Sequence, residues 1–177
     1  MKNFKLLVST PRYNEKSARA ELWFTLLICG DKYPIISNLE LRGLITAFTK
    51  LDVFEVKEKI KGILEEDPNF FTYVLKLVPI QYVCDTDLKL IKETVKTHYK
   101  SYINKNDSFR IKLNRRDNKF IERDVLIDEV AKIFNNPVDL ENPDKILRIE
   151  LLDTICGISF LEQGDVIRPK SADKNSS

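Results

Sequence analysis

Glycine is scarce in this 177-residue chain, with five in all, and histidine is scarcer still, with His98 alone. Neither a G-x-x-x-x-G-K-[ST] phosphate cradle nor a G-x-G-x-x-G fingerprint occurs, so a nucleotide-driven or dinucleotide-dependent enzyme is not expected. His98 has no Cys or Asp at ligand or triad spacing, which leaves it as an ordinary residue of an amphipathic face. The three cysteines, Cys29, Cys84 and Cys156, are far apart and each lies in an apolar stretch. They form no CxxC pair and no disulfide framework, and buried free thiols are expected. No apolar run approaches the roughly 18–20 residues of a membrane-spanning helix. The start alternates as Phe4, Leu6 and Val8 in place of a basic segment and a long apolar run. No secretory signal is expected, and an intracellular, cytoplasmic protein is. Binding fits these absences better than catalysis, and no cofactor and no metal are expected.

Charge is plentiful, with 29 Lys and Arg against 27 Asp and Glu, and its distribution matters more than its +2 sum. Residues 89–123 hold eleven basic and four acidic side chains, whereas residues 124–165 hold three basic and ten acidic. A basic block beside an acidic block is a polarised surface able to steer a polyanion to one face.

The first 83 residues read as strand, helix, strand, strand, helix, strand. Phe4 to Val8 alternates; Ala18, Leu22, Leu26 and Cys29 share a helical face that ends at Gly30. Ile35–Ile36 and Leu44–Phe48 are short strands. Asp52, with Glu55 three residues on, starts a helix whose core face is Val56, Ile60, Ile63 and Leu64, and Asp67-Pro68-Asn69 turns it off. Phe71 to Val83 alternates as one long strand. The order βαββαβ is the split-βαβ or ferredoxin-like arrangement.

From Asp85 a new pattern begins. Leu88, Ile91, Val95, Tyr99 and Tyr102 recur at helical spacing, with Lys89, Lys92, Lys96 and Lys100 on an outer stripe. Phe109, Ile111 and Leu113 alternate with Arg110, Lys112 and Asn114 as a strand, and the loop 115–119 follows. Leu126, Ile127, Val130, Ile133 and Phe134 mark a helix stopped by Asn135-Asn136-Pro137. Val138 to Leu140 is a brief strand, Asn142-Pro143-Asp144 a turn, and Lys145–Leu151 pairs with Ile155–Leu161 as a hairpin. The expected domains are 1–83 and 84–165, with residues 166–177 a disordered tail.

Arg110, Lys112, Arg115, Arg116, Lys119 and Arg123 come from one strand and the loop leaving it, so they can converge on a polyanion. Guanidinium forks suit phosphate oxygens. The bland reading is an exposed basic edge that discourages strand pairing. No helix-turn-helix is evident, which favours RNA over a DNA major groove. Asp128 with Glu129, and Asp85 with Asp87, read as helix-start acids rather than a catalytic pair. A second functional reading makes the acidic 124–165 stretch the working face of a protein-interaction scaffold.

Ser108-Phe109-Arg110-Ile111-Lys112-Leu113-Asn114-Arg115-Arg116, then a helix, then Val138 to Asp144 and the closing hairpin, resemble a THUMP domain. Pro79-Ile80-Gln81 with Cys84, and Leu6 to Thr10 with Arg12 and Ala20-Glu21-Leu22, resemble the adaptors of tRNA cytidine acetylation. The resemblance covers about residues 4–162 and implies an α+β protein, a ferredoxin-like domain followed by an α/β THUMP domain. It further implies a protein without an active site that grips tRNA at its acceptor end while a separate acetyltransferase forms N4-acetylcytidine. Carried onto this chain, the RNA contacts are Arg110, Lys112, Arg115, Arg116 and Lys119, with Arg12 and Lys76 from the first domain. Lys76 stands where the family pattern suggests an arginine, so a bidentate phosphate contact there is not expected. The implied partners are tRNA and the acetyltransferase, with no DNA and no membrane.

Overall fold

The chain is described from a computed structural model over residues 3–169. Its mixed α/β elements fall into two compact units, residues 3–80 together with 164–169, and residues 81–163.

The first unit runs β1 (Leu6–Ser9), α1 (Glu15–Ile28), β2 (Ile35–Asn38), β3 (Leu44–Phe48), α2 (Val53–Glu66) and β4 (Lys76–Pro79). Its sheet has the order β2-β3-β1-β4, every neighbour antiparallel. Leu6 and Val8 on β1, Ile45 and Ala47 on β3 and Leu77 on β4 share a face by register. Against that face pack Ala18, Leu22 and Leu26 of α1 and Val56 and Ile60 of α2. Helix α2 starts where the sequence says it should: Asp52 has extended backbone and its carboxylate accepts the N–H groups of Phe54 (2.9 Å) and Glu55 (3.1 Å). Pro79 sits on the edge strand β4, where a missing donor is tolerated.

The alternation from Phe71 to Val83 is not one strand. Residues 71–75 are irregular, because Glu21 of α1 takes the N–H groups of Thr72 (2.8 Å), Tyr73 (2.8 Å) and Val74 (3.0 Å) that a ladder would otherwise use. Strand β4 then ends at Pro79, and the backbone changes allegiance within two residues. Ile80 N–H donates to Lys5 O in the first unit, and Gln81 N–H to Ile158 O in the second.

The second unit runs β5 (Tyr82–Asp85), α3 (Leu88–His98) with a 3-10 turn at Tyr99–Ser101, β6 (Phe109–Arg116), α4 (Arg123–Ala131), β7 (Lys145–Leu152) and β8 (Ile155–Leu161). Its sheet has the order β5-β8-β7-β6, with β6 and β7 parallel and the other neighbours antiparallel. A parallel pair needs a crossover, and α4 supplies it. Phe109 and Leu113 of β6, Leu147, Ile149 and Leu151 of β7, and Cys156, Ile158 and Phe160 of β8 face Ile91 and Val95 of α3 and Leu126 and Val130 of α4. The expected strand at 138–140 is a single bridge, Phe109 to Val138.

The boundary therefore falls at 80/81 rather than 83/84, and the expected tail starts too early. Ile167 exchanges backbone hydrogen bonds with Leu77 (2.9 and 3.0 Å) and joins the first core, while Lys57 Nζ meets Asp165 Oδ1 at 2.5 Å. Residues 170–177 of that tail lie outside the described residues. The thiols also differ from expectation: Cys29 and Cys156 are buried, but Cys84 is only half-buried on the edge strand β5.

Candidate nucleic-acid interface

Strand β6 is an edge strand, and its period of two sorts its cations. Phe109, Leu113 and Arg115 point to the helix side; Arg110, Lys112, Asn114 and Arg116 point to the other. Six residues separate Arg110 from Arg116, which at strand rise is about 20 Å. The cations thus form a track along the edge rather than one pocket.

Each end of the track is fixed by backbone carbonyls. Arg110 Nη1 donates to Leu140 O at 2.8 Å, tying β6 to the 137–140 segment, where Phe109 N–H also donates to Pro137 O (2.9 Å). Among the described residues, Arg110 Nε is buried without a hydrogen-bond partner. At the far end, Arg115 Nη1 donates to Ile121 O (3.3 Å) and Arg123 Nη1 to Leu113 O (3.2 Å), so two guanidiniums brace the loop against the strand. Asn118, itself buried, clasps the same loop: its Nδ2 donates to Asp153 O (3.0 Å) and its Oδ1 accepts Ile121 N–H (3.3 Å). Asp117 adopts the left-handed region at φ 48°, a conformation Asp tolerates better than most residues. The pinned loop leaves Arg116, Lys119 and Phe120 exposed, Phe120 at 69%.

Among the described residues, no carboxylate lies within ion-pair distance of Arg110, Arg115, Arg116, Lys119 or Arg123. Lys112 lies opposite Arg148 of β7 in register. Arg148 is buried and its Nε meets Glu150 Oε1 at 2.6 Å, which also accepts Asn114 Nδ2 at 3.0 Å. Of the expected contacts, Arg115 and Arg116 end β6 on its opposite faces and Lys119 lies in the loop that follows, Arg110 and Lys112 lie back along the strand, and Arg12 and Lys76 belong to the first unit. Lys76 is on β4 opposite Ser9, and Arg12 is exposed in the loop before α1.

The acids of 124–165 are largely engaged within the fold. Glu129 is held by Lys92 (2.5 Å) and by Lys132, and these ammonium groups pull its carboxyl down to about 2. Asp144 accepts the Ser108 N–H and Oγ–H, each at 2.8 Å, and those bonds lower its pKa. Asp139 accepts the N–H groups of Glu141 and Asn142, and Glu162 meets Lys145. His98 is also occupied: its ring stacks on Tyr82 at 3.8 Å and 13°. The Tyr82 hydroxyl shares a hydrogen bond with Tyr102 (2.8 Å), and burial, then that bond, pushes it up to about 12.

Sequence reasoning missed Asn118, Asn114 and the exposed ring of Phe120. Asn118 reads as one more polar loop residue, since nothing in the sequence reveals that its partner is Asp153.

Residues 85–161 match the family profile described as THUMP domain. Two curated relatives are similar to this chain. One is "tRNA acetyltransferase TAN1" of Saccharomyces cerevisiae, 32% identical over 103 residues, covering 51% of this chain and 36% of that protein. The other is "THUMP domain-containing protein 1 homolog" of Drosophila melanogaster, 30% identical over 112 residues, covering 60% of this chain and 35% of that protein. The chain thus spans about a third of the length of either relative. Among solved structures, PH1313 from Pyrococcus horikoshii shares the fold at a TM-score of 0.70 and 16% identity, over 95% of this chain and 56% of that one. Residues 85–161, with the edge strand β6 and its pinned cationic loop, are a THUMP domain.

Proposed function

We propose that this chain is a cytoplasmic tRNA-binding protein that presents the acceptor end of tRNA while a separate acetyltransferase forms N4-acetylcytidine. The observation that carries the reading is the track of guanidinium and ammonium groups from Arg110 to Lys119 on the THUMP edge strand, with no carboxylate paired to Arg110, Arg115, Arg116 or Lys119 among the described residues. A track of about 20 Å suits a run of phosphates, and its loop is pinned before any ligand arrives, so little ordering cost remains. The similarity to a protein whose name gives tRNA acetylation supports the modification named here. The chemistry is assigned to another chain because the sole histidine spends its ring on Tyr82 and the neighbouring acids are engaged by the fold. For the same reason the scaffold reading, which needs a free acidic face over 124–165, is not favoured. We read the first unit as the ferredoxin-like module, on the strength of its βαββαβ order and its β2-β3-β1-β4 sheet.

A fluorescence titration with tRNA tests the binding half. Four or five phosphate contacts lower affinity roughly 150- to 500-fold between 50 and 200 mM salt. Arg115→Ala/Arg116→Ala should flatten that dependence, and a salt-insensitive or unchanged affinity refutes the reading. Deleting the gene tests the second half: unaltered acetylcytidine in tRNA removes the adaptor role.

A further inference from the structure

The first unit carries a cationic and aromatic surface that the THUMP track does not use. Helix α1 has two acids, and both are turned to backbone amides. Glu15 Oε1 accepts Gly43 N–H at 2.7 Å, a bond that lowers its pKa, and Glu21 accepts the three N–H groups of Thr72 to Val74. Its two bases, Lys16 and Arg19, are exposed and three residues apart, and Trp23, four further on, is 48% exposed. Spacings of three and four place these side chains on one face of the helix, over about 10 Å of its length.

At the head of this stripe stands Tyr13, 79% exposed and held at φ 69°. Arg42, from the loop before β3, lies over its ring with the guanidinium carbon 5.6 Å from the centroid, and Arg42 Nη1 donates to the Tyr13 hydroxyl at 3.3 Å. The two loops are locked together: Thr10 N–H donates to Gly43 O (3.0 Å), and a Cβ on Gly43 would sit 3.0 Å from Thr10 O. Among the described residues, no carboxylate lies within ion-pair distance of Arg12, Lys16, Arg19 or Arg42, and Arg42 is near enough to Glu15 for its charge to help lower that carboxyl. A left-handed backbone costs a tyrosine far more than a glycine, and burial of this ring returns nothing for it. With Arg42 behind one face, the other face of the ring is open to solvent. A flat π system is what such a face recognises, and Lys16 and Arg19, which lie between Tyr13 and Trp23 along the chain, with Arg12 and Arg42 beside Tyr13, suit phosphodiesters.

We propose that the outer face of α1, with Arg12, Tyr13 and Arg42, is a seat for single-stranded nucleic acid. Tyr13 and Trp23 each stack an unpaired base, and Arg12, Lys16, Arg19 and Arg42 hold the phosphates between them. The seat deepens the tRNA-binding reading and rests on it for its natural ligand, an unpaired stretch of RNA.

Trp23 is the only tryptophan of the chain, so its emission reports the seat directly. The full chain is titrated with an unstructured 12-nucleotide oligoadenylate and with an abasic phosphodiester of equal length. Oligoadenylate should quench Trp23 and the abasic strand should not. Tyr13→Ala should weaken oligoadenylate about tenfold while Tyr13→Phe retains binding, the size expected for one stacked base. Tyr13→Gly should lose the same factor yet raise Tm by a few degrees, because it relieves the backbone. Absent quenching, equal binding of the abasic strand, or full affinity in Tyr13→Ala overturns the seat. Arg115→Ala/Arg116→Ala should leave Trp23 quenching intact. Loss of tRNA binding in that variant with silent α1 variants removes this inference alone, whereas oligoadenylate quenching without tRNA binding removes the tRNA reading alone.

Discussion

Lys57 Nζ lies 2.5 Å from Asp165 Oδ1 across 108 residues of sequence, and both residues are buried. Burial alone would depress the Lys57 ammonium, but its bonds to Asp165 and Glu58 outweigh burial and raise it. Asp165→Asn leaves a buried ammonium with, among the described residues, only the exposed Glu58 as counter-ion. Breaking a buried pair from one side costs about 3 kcal/mol, whereas an apolar replacement of both partners is close to neutral. Urea unfolding should therefore find Asp165→Asn more damaging than Lys57→Met/Asp165→Leu.

Glu21 is a second long-range staple. Its carboxylate closes three N–H groups of an otherwise irregular segment, and charge-assisted bonds of this kind are the strong ones. Glu21→Ala should lower stability by about 2–3 kcal/mol. Amide exchange would show the loss at Thr72, Tyr73 and Val74 first.

The THUMP arginines separate by role. Arg115 and Arg123 donate to carbonyls that brace the loop, while Arg116 is exposed with no such bond. Arg116→Ala should weaken tRNA binding and leave Tm within a degree or two of the parent. Arg123→Ala should lower both Tm and affinity, because the loop it anchors carries the other cations.

Acid should loosen the α3–α4 contact in a defined window. The Glu129 carboxyl, pulled down to about 2 by Lys132 and Lys92, contributes stability in full above its ordinary value near 4.5. That contribution falls as pH drops toward 2 and is gone below it. Glu129→Gln should be less stable at neutral pH, and its stability should decline less between about pH 4.5 and 2.

The three thiols should react unequally. The hydrogen bond from Cys156, aided by Thr94, lowers the half-buried Cys84, while Cys156 is pushed well up by the same contact and by burial, and Cys29 is raised by burial. A thiol reagent applied to the native protein should show one fast site. Cys84→Ser should abolish that phase.

Much of this architecture is legible from periodicity. The faces of α1, α2 and α3, the Asp52 cap and the β7–β8 hairpin each follow from local spacing that tertiary packing did not override. The break within 71–83 is not legible, because an alternating run does not say which sheet its backbone joins; that depends on Lys5 and Ile158, both far away. Ile167 was hidden by the polar composition around it. At the interface, the opposite facing of Arg115 and Arg116 follows from strand geometry alone. The anchors of Arg110, Arg115 and Arg123 are main-chain carbonyls, such as Ile121 O, and an acceptor that every residue possesses leaves no trace in the sequence.

The return of Ile167 to Leu77 bears on how the protein is made. A ribosome releases β1 to β4 first, then the whole THUMP unit, and only afterwards the stretch that seals the opening module. The N-terminal half must wait unsealed while its neighbour is synthesised, so a stalled or clipped nascent chain would strand it with its edge strand unclosed, in reach of chaperones and of its own kind.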